Sequence, residues 1–224
     1  ESFQKLIETV SVELNSSTDN PLIFPTPENP GPHEVVSQGN FHAEVLALVS
    51  DAMSLGLFEL SSISERRIDQ MLDPDRRALR PFLAENPGLE SGLMIVQYVA
   101  AASLGELRGH ANPRTAFSTT TSAGQEDHVS MGATASWNLF EAIQRCREVL
   151  ACEAFVAHRA IQIMEKPSST CIESLIRCMN NVVLPGFKDR NTSDEIQTIA
   201  AEFTSSSWLS VIQSMLETPL RKSL

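Results

Sequence analysis

Hydrophobic residues recur at three- and four-residue spacing over most of the chain, and this periodicity predicts helices. Strand-like alternation is confined to residues 22–24 and 34–36. The pattern therefore predicts an all-α fold, in the form of an elongated helix bundle with long central helices. Seven stretches carry the helical pattern: residues 1–14, 41–64, 93–108, 126–164, 168–183, 193–203 and 205–216.

Polar segments rich in Pro, Gly, Asn and Ser separate these stretches. A short separate helix is predicted for residues 64–73, stopped by Pro74. Three loops are unusually polar, at residues 15–41, 81–92 and 109–128. Because long loops without regular structure are uncommon and often functional, the chemistry is expected in these loops at the helix ends.

The charge balance narrows the possible partners. The chain has 28 acidic residues and 17 Lys and Arg residues, which gives a formal net charge of −11. A nucleic-acid or anionic-membrane partner favours a basic surface, so neither is expected. No apolar run approaches the roughly 18 residues that cross a bilayer, and the first residues do not have the form of a signal peptide. We therefore expect a cytoplasmic protein.

The four cysteines agree with that location. Cys146, Cys152, Cys171 and Cys178 form no C-x-x-C pair, and they lie in apolar helical runs. They are expected to be reduced, buried thiols.

The segment TSAGQEDHVSMG, residues 121–132, places Glu126, Asp127 and His128 just before the longest predicted helix. Taken alone, the two acids favour an ordinary first turn that complements the helix dipole. A metal site would need further ligands, with His42 and His110 as the nearest candidates, but no H-x-x-x-H or H-E-x-x-H spacing exists, so no metal is expected. The chain also lacks a G-x-S-x-G nucleophile motif and a phosphate-binding loop.

Five segments in order resemble the histidine ammonia-lyase branch of the aromatic amino acid lyases: NSSTDNPLIF, GNFHAE, ISERRI, PFLAENPGLESGLMIVQ and TSAGQEDHVSMG. The resemblance implies a helical homotetramer that carries methylidene-imidazolone (MIO), an electrophilic group made from an internal Ala-Ser-Gly. It also implies elimination of ammonia from L-histidine to give urocanate.

The resemblance implies roles for four residues. Glu126 matches the active-site glutamate implicated in proton handling, and Phe41 matches the aromatic residue that lines the MIO pocket. Gln125 and Met94 are expected to contact substrate. The alternatives are core packing for Phe41 and Met94 and a helix-cap neighbour for Gln125. The Gln-Glu pair favours histidine, whereas phenylalanine lyases typically have Asn-Gln there.

The sequence contains neither Ala-Ser-Gly nor the family's Gln-Asp-Pro-Tyr-Ser-Leu-Arg motif. Residues 1–224 are therefore expected to be the C-terminal helical part of a lyase whose N-terminal half bears the MIO group. The expected partners are an amino acid substrate, that N-terminal half and other subunits. The parent is expected to be a carbon–nitrogen lyase and this chain alone inactive.

Two alternatives stay open. The same scaffold serves tyrosine and phenylalanine ammonia-lyases and aminomutases, and departures such as Gln38, Val45 and Gly124 border the expected pocket. A non-catalytic helical assembly module is the other alternative, in which the long helix supplies a bundle interface.

Overall fold

A computed structural model describes residues 1–25, 34–77, 79–165 and 169–217. The predicted all-α fold is confirmed, and strands β1 (Leu22–Phe24) and β2 (Glu34–Val36) pair antiparallel at the predicted positions. Residues 26–33 of the first predicted loop, and residue 168, lie outside the described part. Within the described part the α-helices are α1 Ser2–Glu13, α2 Glu44–Leu72, α3 Pro74–Arg77, α4 Met94–His110, α5 Gly132–Met164, α6 Thr170–Asn180, α7 Ser193–Glu202 and α8 Ser206–Glu217.

The chain divides into two compact units. The first comprises Glu1–Glu59 and Leu107–Ile143, and the second comprises Leu60–Glu106 and Gln144–Leu224. The second unit holds a large apolar cluster, in which Phe155, Ile68 and Ile199 are almost fully buried. In the first unit, α2 buries small and polar side chains such as Ser50 and Ser54.

Helix α2 is longer than the sequence pattern predicts. The expected break at Ser64 is wrong, because the helix continues to Leu72. Polar residues at this position have partners on α5: the Ser64 hydroxyl donates to Glu153 at 2.5 Å, and Arg67 pairs with the same carboxylate. These polar side chains are therefore a contact between helices and not the end of one.

The predicted start of the longest helix is also wrong. Helix α5 begins at Gly132, not at residue 126, because Met131 has a left-handed backbone (φ 58°) that helical geometry excludes. Glu126 consequently lies in a loop and not in the first turn of a helix.

Residues Asn40–Leu72 are long and apolar enough to cross a membrane by length and composition alone. Charged residues such as Asp51 and Glu59 interrupt this helix, so it contains no continuous apolar run of that length. The core helix of a water-soluble protein meets the same measure. Here the helix also carries buried Ser61 and Glu65 and an exposed Arg66.

The cysteine prediction is confirmed in part. All four thiols, each within the described ranges, are free. Cys146 and Cys152 are buried, and burial, with a smaller contribution from Glu148, raises the pKa of Cys152 to about 12. Cys171 and Cys178 are only half-buried, so the expectation of four buried thiols is wrong for this pair on α6.

Gly132 lies against the turn that precedes α2. A Cβ atom at this position would lie 3.0 Å from the Ala43 Cβ and 3.0 Å from the His42 carbonyl oxygen. Only a hydrogen in place of a side chain lets the start of α5 approach that turn so closely.

We predict that Gly132→Val lowers the free energy of unfolding by about 1–3 kcal/mol, because the branched side chain forces the two segments apart. Urea unfolding followed by circular dichroism measures this. Gly56→Ala is the control, since Gly56 lies in α2 with open space around its Cα, and it should stabilise by up to about 1 kcal/mol. If the Gly132→Val variant were as stable as the protein without the substitution, the close contact would be contradicted.

His158 is a buried histidine of the second unit, only 4% exposed. Its Nε2 lies 2.8 Å from Asn180 Oδ1, which joins α5 to the end of α6. Burial lowers the pKa of His158 below its ordinary 6.5, and the nearby Arg159 acts in the same direction although Asn180 opposes it. The folded protein therefore favours the neutral ring.

We predict that acidification from pH 7 to pH 5 destabilises the second unit through His158. Because the pKa of His158 is lower in the folded chain, the unfolded chain takes up the proton more readily as the pH falls below 6.5. The stabilising contribution of the neutral ring is therefore complete above pH 6.5. It is lost as the pH falls from 6.5 toward the lowered pKa of the folded chain. Unfolding free energies at both pH values measure the effect. His158→Gln should show a smaller pH dependence, and an unchanged one would contradict the prediction.

Candidate functional site

Glu126 ends a tight turn formed by residues 121–126. The backbones of Thr121 and Glu126 pair in both directions, with N···O distances of 2.9 and 3.3 Å. Between them Ser122, Ala123 and Gly124 all have positive φ, and only the last is a residue that tolerates this without strain. The backbone N–H and C=O of Glu126 both bond Thr121 within this six-residue turn, so the turn fixes the backbone of Glu126.

A second turn, residues 39–43, leads into α2. Asn40–His42 form one 3₁₀ turn, and Ala43 takes a left-handed conformation (φ 59°, ψ 36°) before α2 begins at Glu44. The Asn40 side chain donates to Glu13 at the end of α1, at 2.9 Å. This attachment positions Phe41 and His42 ahead of the helix.

The two turns meet through an imidazole and a carboxylate. His42 Nε2 lies 2.7 Å from Glu126 Oε2, and the side chains are 25% and 34% exposed. The Phe41 ring lies against the His42 ring, with centroids 4.1 Å apart. An aromatic ring, an imidazole and a carboxylate thus form one continuous row.

A second, weaker pair joins the same segments. His128 Nε2 lies 3.5 Å from Glu44 Oε2; the His128 side chain is exposed, whereas Glu44 is half-buried and its Oε2 is buried without a hydrogen-bond partner. The Ser118 hydroxyl is 3.2 Å from His128 Nδ1 and accepts a hydrogen bond from the Val129 amide at 3.0 Å. The segments His42–x–Glu44 and Glu126–x–His128 therefore pair reciprocally, histidine with glutamate at each end.

Three of the four predicted site residues lie in this part of the first unit. Phe41 is 42% exposed, so in this chain it is not the core residue of the alternative interpretation. Gln125 lies in the tight turn with an exposed side chain, and its interpretation as a neighbour of the N-cap of the long helix is wrong because α5 begins at Gly132. Met94 is the first residue of α4 and belongs to the second unit, where it is half-buried. The substrate roles of all four remain predictions.

Sequence reasoning did not identify His42 as the partner of Glu126. It considered this histidine only as a possible metal ligand with His110 and His128, but His110 bonds Asn138 at 2.8 Å instead. Among the described residues, no group of three or more His, Cys, Asp or Glu side chains is arranged around a common point. The available signal was the adjacency of His42 to Phe41 in the GNFHAE segment.

Two cavities, one in each unit, leave out Glu126 and Gln125 of the predicted site. A cavity of about 440 Å³ borders Phe41 and is lined mainly by apolar residues of α1, α2 and α5, without Glu126 or Gln125. A larger cavity of about 860 Å³ lies in the second unit. Its charged groups are already paired there: Arg145 with Glu148 at 2.7 Å, and Asp189 with the Ser91 and Gly92 amides. The larger cavity is therefore not the site that the sequence predicts.

Comparison with known proteins identifies relatives that are named as ammonia-lyases or aminomutases. A histidine ammonia-lyase of Geobacillus sp. (strain WCH70) is 38% identical over 94% of this chain and 41% of its own length. The crystal structure of histidine ammonia-lyase from Trypanosoma cruzi superimposes with a TM-score of 0.87 at 32% identity, covering 95% of this chain and 41% of that one. The tyrosine aminomutase of Streptomyces globisporus superimposes with a TM-score of 0.86 at 26% identity, covering 95% and 40%.

The chain spans about two-fifths of the length of the curated relatives it matches, of which the Geobacillus protein is one. The sequence profile of the aromatic amino acid lyases matches residues 1–181, which is most of the chain. The matched region contains both turns, α2, α4 and α5. The chain therefore belongs to the aromatic amino acid lyase family.

Proposed function

We propose that this chain is the C-terminal helical part of an ammonia-lyase that converts L-histidine to urocanate and ammonia. The observation that carries the proposal is the 38% identity to a histidine ammonia-lyase over 94% of the chain. The site agrees with it, because the carboxylate of Glu126 lies beside a partly exposed aromatic residue, joined through His42.

The Gln125-Glu126 pair supports histidine as the substrate. A carboxylate accepts a hydrogen bond from an imidazole N–H, whereas a neutral amide pair suits an apolar ring. The imidazole of His42 already lies close to this carboxylate, with Nε2 2.7 Å from Oε2. A substrate imidazole would find the same acceptor.

Glu126 is the proposed base that removes the weakly acidic β-proton. A base must be held within hydrogen-bond reach of the proton it abstracts, and the tight turn fixes the backbone of Glu126. His42 engages Oε2, which directs the carboxylate and leaves Oε1 for substrate. Gln125 lies next to Glu126 with an exposed side chain for a polar contact.

The MIO group of this family is proposed to come from residues outside this chain, since no Ala-Ser-Gly occurs in it. When bound, the group supplies an electrophile that activates the substrate for loss of its α-amino group. Phe41 fits a place beside it, because its ring is 42% exposed and borders an apolar cavity. No metal is proposed.

Assembly with the N-terminal half and with further copies, as a cytoplasmic homotetramer, is part of the proposal. Large apolar side chains of the first unit are exposed, among them Leu48 and Leu55 on α2 and Trp137 and Phe140 on α5, each by at least half of its surface. Trp137 and Phe140 stack on each other, with ring centroids 5.3 Å apart, and exposed apolar patches mark protein interfaces.

An aminomutase or a lyase for tyrosine or phenylalanine is the second candidate. The superposition with a tyrosine aminomutase, at a TM-score of 0.86 and 26% identity, favours it. The histidine ammonia-lyases match at higher identity, so the histidine reaction is the first choice.

The intact parent protein tests this function. Its mass is measured first, and the protein is then incubated separately with histidine, tyrosine and phenylalanine. We expect a mass near twice that of this chain or more, and an absorbance increase from urocanate with histidine alone. Products from tyrosine or phenylalanine, or a β-amino acid, would favour the second candidate.

We predict that Glu126→Gln in the parent lowers kcat by about 10²- to 10⁴-fold, because the amide cannot take the proton. Steady-state rates of urocanate formation measure this. Asp127→Asn is the matched control, since Asp127 is the exposed neighbour in the same segment, and it should retain kcat. If both variants kept full activity, Glu126 would not be the base.

A further inference from the structure

We propose that His42 is a positioning residue for Glu126, holding the carboxylate in the orientation that proton abstraction requires. The inference deepens the proposed function and rests on it, because orientation matters for catalysis only if Glu126 acts on substrate. It adds a residue that the sequence motifs had not connected with the reaction.

The contact is a close approach between an imidazole nitrogen and a carboxylate oxygen. A distance of 2.7 Å between His42 Nε2 and Glu126 Oε2 is short for a nitrogen–oxygen pair, as expected where one partner is charged. At this distance a small rotation of the ring would let a protonated Nε2 donate to the carboxylate oxygen, in the neutral or in the charged ring. The partial exposure of both side chains leaves room for a substrate beside the pair.

His42 is itself held rigidly by the start of α5. Its carbonyl oxygen accepts a hydrogen bond from the Ser130 hydroxyl, and Ser130 is 3% exposed. The same hydroxyl accepts from the Gly132 amide at 3.1 Å. Because Gly132 also lies directly against the carbonyl oxygen of His42, the imidazole projects from a fixed backbone.

Glu126 lacks comparable support for its side chain. The backbone pairing with Thr121 fixes its Cα, but the side chain beyond has three rotatable bonds. Among the described residues, His42 is the group that the structure places on its carboxylate. Loss of that contact would free the carboxylate to sample other rotamers, and misplacement by about 1 Å costs on the order of a hundredfold in rate.

The reciprocal pair supplies a matched control. His128 is also a histidine opposite a glutamate between the same two segments, but its distance to Glu44 is 3.5 Å and it is 68% exposed. No hydrogen bond forms at that separation, and solvent screens the exposed His128 ring, so this contact contributes little. A specific role for His42 therefore predicts different effects for the two histidines.

The experiment uses the full-length parent with His42→Ala, His42→Gln and His128→Gln, each checked for native mass and thermal unfolding. We expect His42→Ala to lower kcat roughly 10- to 100-fold with KM nearly unchanged. His42→Gln keeps a side-chain N–H donor and should recover most of kcat, and His128→Gln should match the parent. Equal losses in both His42 variants, or a kcat unchanged by His42→Ala, would overturn the proposal.

A double variant separates positioning from general weakening of the fold. If His42 acts through Glu126, then His42→Ala should add almost nothing in the Glu126→Gln background, whereas independent effects would multiply and overturn the inference. The two proposals fail in different ways. Full activity of Glu126→Gln, or no product from any of the three amino acids, overturns the proposed function and the inference with it. A crippled Glu126→Gln beside a fully active His42→Ala overturns the inference alone.

Discussion

The geometry of the candidate site depends on one close contact, between the turn before α2 and the start of α5. Gly132 has no side chain, and the Ser130 hydroxyl bridges the His42 carbonyl oxygen and the Gly132 amide. Ala43, just before α2, and Met131, just before α5, both have a left-handed backbone conformation. Each costs about 1–2 kcal/mol for a residue with a side chain, so the contact must offset that cost.

Residues from distant parts of the sequence meet because of this contact. The start of α2 brings His42 and Glu44, and the loop before α5 brings Glu126 and His128. Neither segment could fix these side chains alone, since each is a turn with few internal hydrogen bonds. The close contact between His42 and Glu126 attaches the loop that carries Glu126 to the turn before α2.

The sequence predicted most helices within a few residues, because apolar periodicity is a local signal that packing reinforces. Helices α4 and α7 and both short strands lie where the pattern placed them. The errors have non-local causes. The pattern predicted a boundary between two helices at Ser64, but the helix continues, and Ser64 and Arg67 bond Glu153 more than 80 residues away. Glu126 resembled a first-turn acid, but its carboxylate is engaged across the chain by His42.

The contacts among the residues of the candidate site could be predicted less well than the identities of those residues. Phe41, Gln125 and Glu126 were found through resemblance to a family, and the structure places them in one part of the first unit, whereas Met94 lies in the other. The position of His42 against Glu126 depends on left-handed backbone angles at Ala43 and in the 121–126 turn. Alanine and serine rarely adopt such angles, so no local rule predicts them there.

The partial exposure of the His42–Glu126 pair has a consequence for how it acts. An ion pair or charged hydrogen bond in contact with water contributes little to stability, because solvent screens it. The same pair strengthens when water is excluded, since the effective dielectric constant falls. In this chain the pair is about a quarter to a third exposed, and the neighbouring apolar cavity does not enclose it. Its effect here is therefore mainly to orient the carboxylate, and under the proposed function its electrostatic contribution would grow when substrate and the rest of the enzyme cover the site.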